Sequence, residues 1–492
     1  MDHLEIALGA GAAVLLLAVL AVRVSTRLGL PSLLLYLGIG LLIGEAGLGI
    51  QFSNASLTAA VGTAALVMIL AEGGLTTRWS MIRPALGWGV ALATVAVAVS
   101  IAVTGWALHL LLQLDWRSSL LWGAVLSSTD AAAVFSVLRG LPILPRMKGT
   151  LELESGLNDA PVYIAVVLLA SGDPVRWWTP LLVGYELLGG ALVGGMLGWA
   201  GAWALRRAAL PATGLYPLAT IAVCVLAFAV AQSLHASGFL ATYLAGLVLG
   251  NARLPHRGDT LSFAEGLGWL AEIGLFVLLG LYASPARLPG VLGPALAAGA
   301  VVIVLARPLS VVLALTPFRV PWRQQAFLAW SGLRGAVPIV LALIALTQGF
   351  PGAQRLVDMV FVLVVMLTAV QGVTLPVVAR WLGLSRPEQG REMQVDSAAL
   401  DDMGAELLQI RVPRPSRLHG VYLWELRLPS GAVVSLVVRN GEAFTPQPTT
   451  RLQEGDQLLV VTTTADRDKA ERRIRAVHRA GRLARWRGET GA

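Results

Sequence analysis

The residues with the clearest capacity for chemistry lie in the segment LESGLNDAP, residues 153–161, at the start of an apolar stretch. On a helix, Ser155, Asn158 and Asp159 occupy positions i, i+3 and i+4 and therefore share one face. Pro161 cannot donate a backbone hydrogen bond, so a carbonyl of the preceding turn is left free beside them. Hydroxyl, amide, carbonyl and carboxylate oxygens suit H⁺, Na⁺ or K⁺. The segment predicts either an ion site at Asp159 or a capped, kinked helix entry near the surface.

Two other apolar stretches are interrupted by polar residues. Residues 126–133 read LSSTDAAA, with Thr129 and Asp130 in mid-stretch, and residues 331–338 read SGLRGAVP, with Arg334 between two glycines. Polar backbone at membrane depth is tolerated where it lines a cavity, and broken helices in both halves of a chain indicate an inverted repeat with a central site. We therefore predict two unwound, crossing helices. Packing between helices is an alternative for the two serines, but it does not account for Asp130.

Three further ionisable residues lie within apolar stretches, where such residues are functional candidates by default. Arg307 precedes a proline near the middle of its stretch, and a buried arginine requires an anion. Glu154 and Asp130 are the candidate partners. Glu72 ends another stretch, where it is either a member of the site or a residue at the membrane interface.

The composition indicates a membrane protein. Of the 492 residues, 56% are hydrophobic and 13% are charged, whereas soluble domains carry about 25% charged residues. A membrane-spanning helix needs about 20 mainly apolar residues. Thirteen segments qualify, at 5–22, 28–45, 57–72, 85–113, 118–137, 150–170, 180–203, 213–234, 238–250, 265–283, 291–315, 322–348 and 355–383. They predict an all-α polytopic membrane fold of about thirteen helices, with inverted repeats and two broken crossing helices.

Basic residues orient these segments, because cytoplasmic loops are enriched in lysine and arginine. Loops after odd-numbered segments, counted together with the residues at their edges, hold thirteen such residues, and those after even-numbered segments hold four. The N-terminus is therefore predicted outside and the C-terminal part in the cytoplasm. The pI near 10.2 suggests nucleic acid as a partner, but most basic residues of the apolar part sit in short loops, so we expect none. A single cysteine, Cys224, excludes a disulfide framework and a cysteine-based metal centre.

Polarity divides the chain, since residues 1–383 hold twenty of the 37 lysines and arginines and the remaining residues hold seventeen. We predict a transmembrane domain, a polar linker, a small α+β cytoplasmic domain and a basic tail, at 1–383, 384–403, 404–470 and 471–492. Runs rich in β-branched residues predict strands, and a helical period predicts one helix; these lie at Leu407–Val412, Val433–Val438, Gln457–Thr462 and Asp466–Val477. The tail favours anionic lipid as a partner, the alternative being a solvated helix end.

Three motifs in this order resemble the monovalent cation:proton antiporters of the NhaP/Na⁺,H⁺-exchanger family, most closely its bacterial K⁺/H⁺ antiporter branch. The motifs are Leu126–Val134, Leu153–Asp159 and Trp330–Ile339, and the resemblance covers roughly residues 5–383. It implies a thirteen-helix homodimer in the bacterial cell membrane, in which an elevator-like core moves against a dimerisation domain. It also implies a transporter rather than an enzyme, with no cofactor.

The resemblance assigns the ion site. Asp159 would bind either the proton or the monovalent cation. Ser155, the backbone around Thr129, and Glu72 through water would help to hold the cation, with Asp130 beside them.

The resemblance also assigns structural roles. Asn158 and Thr129 would stabilise the crossed helices. Glu154 would pair with Arg307, and Arg334 would neutralise the second broken helix. An asparagine before the aspartate is typical of the electroneutral members.

The C-terminal part resembles the RCK C-terminal (TrkA-C) regulatory domain. The resemblance rests on Gly420, Glu425, Pro429 and the pair Gly455–Asp456 in a pattern of about 70 residues. Such domains dimerise, and some bind a small ligand such as a nucleotide. A small nucleotide is thus an expected partner, and a dimerising domain without a ligand is the alternative.

Together these features predict a secondary active transporter in which K⁺ or Na⁺ and H⁺ compete for Asp159. One titrating carboxylate predicts electroneutral 1:1 exchange by alternating access, whereas titration of Asp130 as well would make transport electrogenic. The alternatives are a strict Na⁺/H⁺ antiporter, a gated cation channel, an organic-anion transporter that uses the arginines, and an intramembrane protease with an aspartyl dyad. The sequence contains no TVGYG-like selectivity filter, which argues against the channel.

Overall fold

The computed structural model describes residues 2–28, 31–50, 52–130, 134, 144–172, 176–384, 395–400, 405–413, 416–463 and 466–481. The chain divides into two compact units, residues 1–254 with 261–385 and residues 255–260 with 386–492. Some predicted features lie outside the described residues. They are Ala131–Ala133 of the first broken stretch, residues 135–137 of the fifth segment, most of the linker (385–394 and 401–403) and the end of the basic tail (482–492).

All regular secondary structure in the described part of the first unit is helical. Its helices are α1 (Asp2–Leu28), α2 (Ser32–Ile43), α3 (Ala55–Thr76), α4 (Trp79–Leu112), α5 (Trp116–Val125), α6 (Pro145–Ala170), α7 (Thr179–Arg207), α8 (Leu215–Ser233), α9 (Gly238–Asn251), α10 (Arg257–Tyr282), α11 (Leu288–Phe318), α12 (Trp322–Trp330), α13 (Val337–Thr347) and α14 (Ala353–Trp381). The helices α4 and α11 each contain a short π-helical turn, at Leu92–Ala96 and Val301–Ala306.

These helices confirm the predicted fold class, a helical membrane unit followed by a small α+β domain. Each of the thirteen predicted segments overlaps at least one helix. Within the described residues, eight helices are individually long and apolar enough to cross a membrane, and four shorter apolar helices accompany them. The exact number of spans stays a prediction.

Two of the predicted segments are interrupted where the polar residues occur. Helix α5 begins at an N-cap, Asp115, whose carboxylate accepts a hydrogen bond from the Ser118 amide at 3.0 Å. It ends at Val125, and residues 126–130 are non-helical; we call them the first unwound segment. Residues 331–336, between α12 and α13, are the second unwound segment. At both helix ends a serine side chain bonds a carbonyl of the last turn, which competes with continuation of the helix.

Helix α9 is the buried centre of one side of the unit. It packs against α3, α7 and α8. Its approach to α3 requires small residues, because a Cβ on Gly246 would lie 2.8 Å from the carbonyl oxygen of Ala71. Close contact between α3 and α9 therefore depends on glycine, as is common between membrane helices.

The second unit is a five-stranded antiparallel sheet with one helix. The strands are β1 (Val395–Leu400), β2 (Ala405–Arg411), β3 (Ala432–Arg439), β4 (Glu442–Phe444) and β5 (Gln457–Thr463), in the order β1-β2-β5-β3-β4, and the helix is α15 (Arg467–Ala480). Alternate residues of β2 and β5, such as Leu408 opposite Val460, are buried with Ile474 and Val477 of α15. The predicted strands coincide with β2, β3 and β5. Strand β1 lies inside the segment that the sequence assigns to the linker.

A buried ion pair holds a loop to this sheet. Asp456 is 1% exposed, and Arg439 of β3 donates two hydrogen bonds of 2.9 Å to its carboxylate. These bonds raise the pKa of the Arg439 guanidinium. The Gln453 amide donates to the same carboxylate at 2.8 Å, so the turn before β5 is fixed.

Candidate ion-binding site

The two unwound segments meet at the centre of the first unit. The Asp130 amide donates a hydrogen bond to the Leu333 carbonyl at 2.9 Å, which joins the two segments directly. Arg334 is fully buried, and its Nη1 donates to the carbonyls of Ser127, at 3.1 Å, and Ser128. Backbone groups that no longer bond within a helix are thus satisfied by the opposite segment, as burial requires.

Asp159 lies on α6 beside this crossing and is 7% exposed. The Ser128 hydroxyl donates a hydrogen bond to Asp159 Oδ1 at 3.1 Å. Within the described part of the chain, no basic side chain forms an ion pair with Asp159. A buried carboxylate without a cationic partner is costly when ionised, so this group favours a bound proton or a bound cation.

A chain of polar side chains runs from α6 to α11. Asn158 Nδ2 donates to Thr129 Oγ1 at 2.6 Å, and this hydroxyl in turn donates to Glu154 Oε1 at 3.4 Å. The same carboxylate oxygen lies 2.5 Å from Arg307 Nη1. Both charged side chains are buried, at 2% and 5% exposure. Of the two candidate partners that the sequence offers to Arg307, Glu154 is the one in contact.

Asp130 fits closely against the second unwound segment. It is half-buried, and a Cβ placed on Gly335 would lie 2.7 Å from Asp130 Cγ. The glycine at this position therefore makes room for the carboxylate, so we infer that the segment tolerates no side chain there.

We expect Gly335→Ala to lower the free energy of unfolding by about 1–3 kcal/mol, because the new methyl group must displace either Asp130 or the backbone. Thermal unfolding in detergent measures the change. Gly73→Ala is the matched control, since a Cβ on Gly73 has nothing within 4 Å, and we expect a change of less than about 1 kcal/mol there. Equal effects of the two substitutions would contradict the close fit of Asp130.

Two predicted site residues lie less directly at the crossing. Ser155 is half-buried on α6, one turn before Asp159. Glu72 lies on α3, where its side chain accepts from Thr76 Oγ1 at 3.5 Å and packs against Gly268 of α10. None of these contacts joins Glu72 to Asp159.

Several polar contacts were not anticipated from the sequence. Ser128, for which helix packing was an alternative, is the hydroxyl that contacts Asp159. Thr368 and Gln371 of α14 bond carbonyls in the second unwound segment and at the end of α12, respectively. Asp358, also on α14, is 5% exposed and pairs with Arg287 at 3.0 Å. The only sequence signal for the α14 residues is that polar side chains interrupt an apolar stretch.

Two protein-family profiles match separate parts of the chain. The profile of the family described as sodium/hydrogen exchanger, transmembrane, matches residues 12–381. The profile described as TrkA-C domain matches residues 407–475.

Named proteins are similar over most of the chain. The K(+)/H(+) antiporter NhaP of Alkalimonas amylolytica is 38% identical over 464 residues, which span 92% of this chain and 80% of the relative. The K(+)/H(+) antiporter NhaP2 of Shewanella baltica is 36% identical with the same coverage. The Na(+)/H(+) antiporter 1 of Methanocaldococcus jannaschii is 28% identical over 69% of this chain and 83% of its own length.

A solved structure shares the fold. The sodium proton antiporter MjNhaP1 from Methanocaldococcus jannaschii, at pH 8, superposes with a TM-score of 0.67 at 24% sequence identity. The match covers 75% of this chain and 99% of that one. Over three quarters of its length the chain therefore shares the fold of a solved structure.

Proposed function

Because the chain belongs to the sodium/hydrogen exchanger family, we propose that it exchanges a monovalent cation for a proton across the membrane, with Asp159 as the group that binds either ion in turn. Such a protein is a transporter, and it needs no cofactor. The proposal rests on the family, on the buried Glu154–Arg307 ion pair at the crossing, and above all on the surroundings of Asp159.

The buried state of Asp159 is the observation that carries the proposal. Its carboxylate is 7% exposed and has one described hydrogen bond, from the neutral Ser128 hydroxyl. An ionised carboxylate in this place needs a countercharge, which a dehydrated K⁺ or Na⁺ supplies, and a proton removes the charge altogether. One group cannot hold both ions at once, so the two fluxes are coupled.

The other charges of the crossing balance one another. Among the described residues there, Arg307 and Arg334 carry two positive charges, and Glu154 and Asp130 carry two negative charges. Asp159 is the fifth charge, so the crossing is neutral when Asp159 holds either H⁺ or a monovalent cation. Moving a neutral crossing through the membrane barrier is favoured over moving a charged one. Alternating access then proceeds only with a loaded site, and exchange is 1:1 without net charge movement.

K⁺ is the cation that we favour. The relatives named K(+)/H(+) antiporters are 36–38% identical and share both units of the chain. The relative named Na(+)/H(+) antiporter is 28% identical over a shorter part. A strict Na⁺/H⁺ antiporter is the second candidate, and exchange assays with each cation separate the two.

Electroneutral exchange has a direct test. We expect the initial rate of K⁺-driven proton movement in proteoliposomes to be the same at a clamped membrane potential of zero and at an imposed potential of either sign, because one charge moves in each direction. Vesicles without protein report the leak under the same potentials. A rate that changes with potential would show that a second group, with Asp130 the first candidate, titrates during transport.

The remaining features of the proposal concern the setting of the transporter. We place the N-terminus outside and residues 395–481 in the cytoplasm of a bacterial cell, on the basis of the loop charges. We also propose a homodimer whose core moves like an elevator, a basic tail that contacts anionic lipid, and a TrkA-C domain with a small nucleotide as its candidate ligand. Transport with and without residues 390–492 tests whether that domain regulates exchange.

A further inference from the structure

Helix α14 carries a set of polar side chains that face the second unwound segment. Thr368 and Gln371 are 1% and 2% exposed, so both side chains are removed from water and from lipid. In an apolar membrane helix a buried hydroxyl and a buried amide are costly unless they bond a partner. Their partners therefore indicate what these residues do.

Both residues bond backbone carbonyls of the broken helix. Thr368 Oγ1 donates to the Arg334 carbonyl at 2.9 Å, and Gln371 Nε2 donates to the Trp330 carbonyl at 3.0 Å. Helix α12 ends at Trp330, so the Trp330 carbonyl lies directly before the second unwound segment and the Arg334 carbonyl lies within it. The two side chains thus take the place of the helical hydrogen bonds that the break removes.

The position of the Arg334 backbone determines where its guanidinium can reach. Nη1 bonds the carbonyls of Ser127 and Ser128, while Nε and Nη2 have no hydrogen-bond partner among the described residues. The guanidinium is therefore held by one nitrogen and by the placement of its own backbone. Ser128 in turn donates to Asp159 at 3.1 Å.

We propose that Thr368 and Gln371 are positioning residues for ion binding, which act through Arg334 and the first unwound segment on the Ser128–Asp159 contact. The inference rests on the proposed function for its transport readout, but its structural part is independent of transport. Neither residue touches the ion. Each determines how well the oxygen atoms around Asp159 are placed before the ion arrives.

Transport kinetics test the proposal with four variants. Thr368→Val and Gln371→Leu each remove one donor and keep the approximate volume, so we expect the apparent KM for K⁺ to rise roughly tenfold, as a small misplacement of a preorganised site does. Thr368→Ser restores the hydroxyl and should return KM to that of the parent protein. Thr374→Val is the matched control, because Thr374 accepts from the Trp330 indole at 3.1 Å and its described bonds include neither the Arg334 nor the Trp330 carbonyl.

The outcomes separate positioning from simple structural support. A rise in KM in Thr368→Val and Gln371→Leu, with normal kinetics in Thr368→Ser and Thr374→Val, supports the proposal. A loss of thermal stability without any change in KM, or an equal change in Thr374→Val, overturns it. If the parent protein itself moves no protons on cation addition, the proposed function fails, and the next measurement still decides the inference.

A double-mutant cycle measures the coupling between Thr368 and Ser128 without a transport assay. Thr368 and Ser128 belong to different segments, and Arg334 lies between them. If Arg334 transmits position, the effects of Thr368→Val and Ser128→Ala on thermal stability in detergent are not additive, as is found for residues in one hydrogen-bond network. Additive effects within experimental error would refute the relay through Arg334.

Discussion

Substitution of Asp159 by asparagine is expected to abolish cation-driven proton movement in proteoliposomes, with no loss of folded protein. Asparagine has nearly the same shape and can still accept the hydrogen bond that Ser128 donates to Asp159 Oδ1. It cannot ionise, so it neither releases a proton nor supplies the charge that holds K⁺ or Na⁺. The fold should persist or gain stability, because the variant buries no potential charge.

A thermal shift gives a second readout of the same change. If Asp159 binds the cation, K⁺ stabilises the parent protein by mass action and has no effect on Asp159→Asn. The control is Glu152→Gln on the same helix, because Glu152 is 20% exposed and lies 3.9 Å from Lys148 near the N-terminal end of α6. Exchange that survives in Asp159→Asn would refute the central role of this carboxylate.

Removal of the Glu154 charge should have the largest effect on stability. Glu154→Gln leaves Arg307 buried without its anion, since the two side chains are 2.5 Å apart and only 2% and 5% exposed. Breaking a buried ion pair from one side destabilises a protein by about 3–5 kcal/mol. We expect lower expression and a markedly lower thermal transition than in the parent protein, with Glu152→Gln near normal.

A double variant isolates the reason for that loss. In Glu154→Gln with Arg307→Met both charges are gone, so the uncompensated charge no longer has to be buried, and part of the stability should return. The Thr129 hydroxyl still has the glutamine oxygen as an acceptor. Normal stability of Glu154→Gln alone, or no recovery in the double variant, would contradict a buried pair.

Much of the fold follows from local features of the sequence. Hydropathy alone locates every apolar helix of the described residues, because burial in lipid needs an apolar run of a set length. The same pattern located both unwound segments, since four polar residues in one apolar stretch, and two glycines and a proline in another, cannot continue an ordinary membrane helix. In the second unit, β2, β3 and β5 were predicted from β-branched residues, while β1, an edge strand of the sequence VDSAAL, has no such pattern.

For the ion-binding site too, the sequence determines some features and the tertiary structure determines others. The sequence by itself determined that Ser155, Asn158 and Asp159 share a face of one helix, because helical periodicity depends only on spacing. It also determined that the buried arginines need partners, because an unpaired charge in an apolar medium is costly.

Only the tertiary structure decided which groups meet. Arg307 contacts Glu154 rather than Asp130, and Arg334 reaches carbonyls more than 200 positions earlier in the chain. Asp159 is left with a neutral hydroxyl as its described partner. These pairings depend on how the helices pack and on where each unwound segment ends. A hydropathy pattern does not specify which side chains come into contact. The sequence thus located the carboxylate, and the packing alone left it without a countercharge among the described residues.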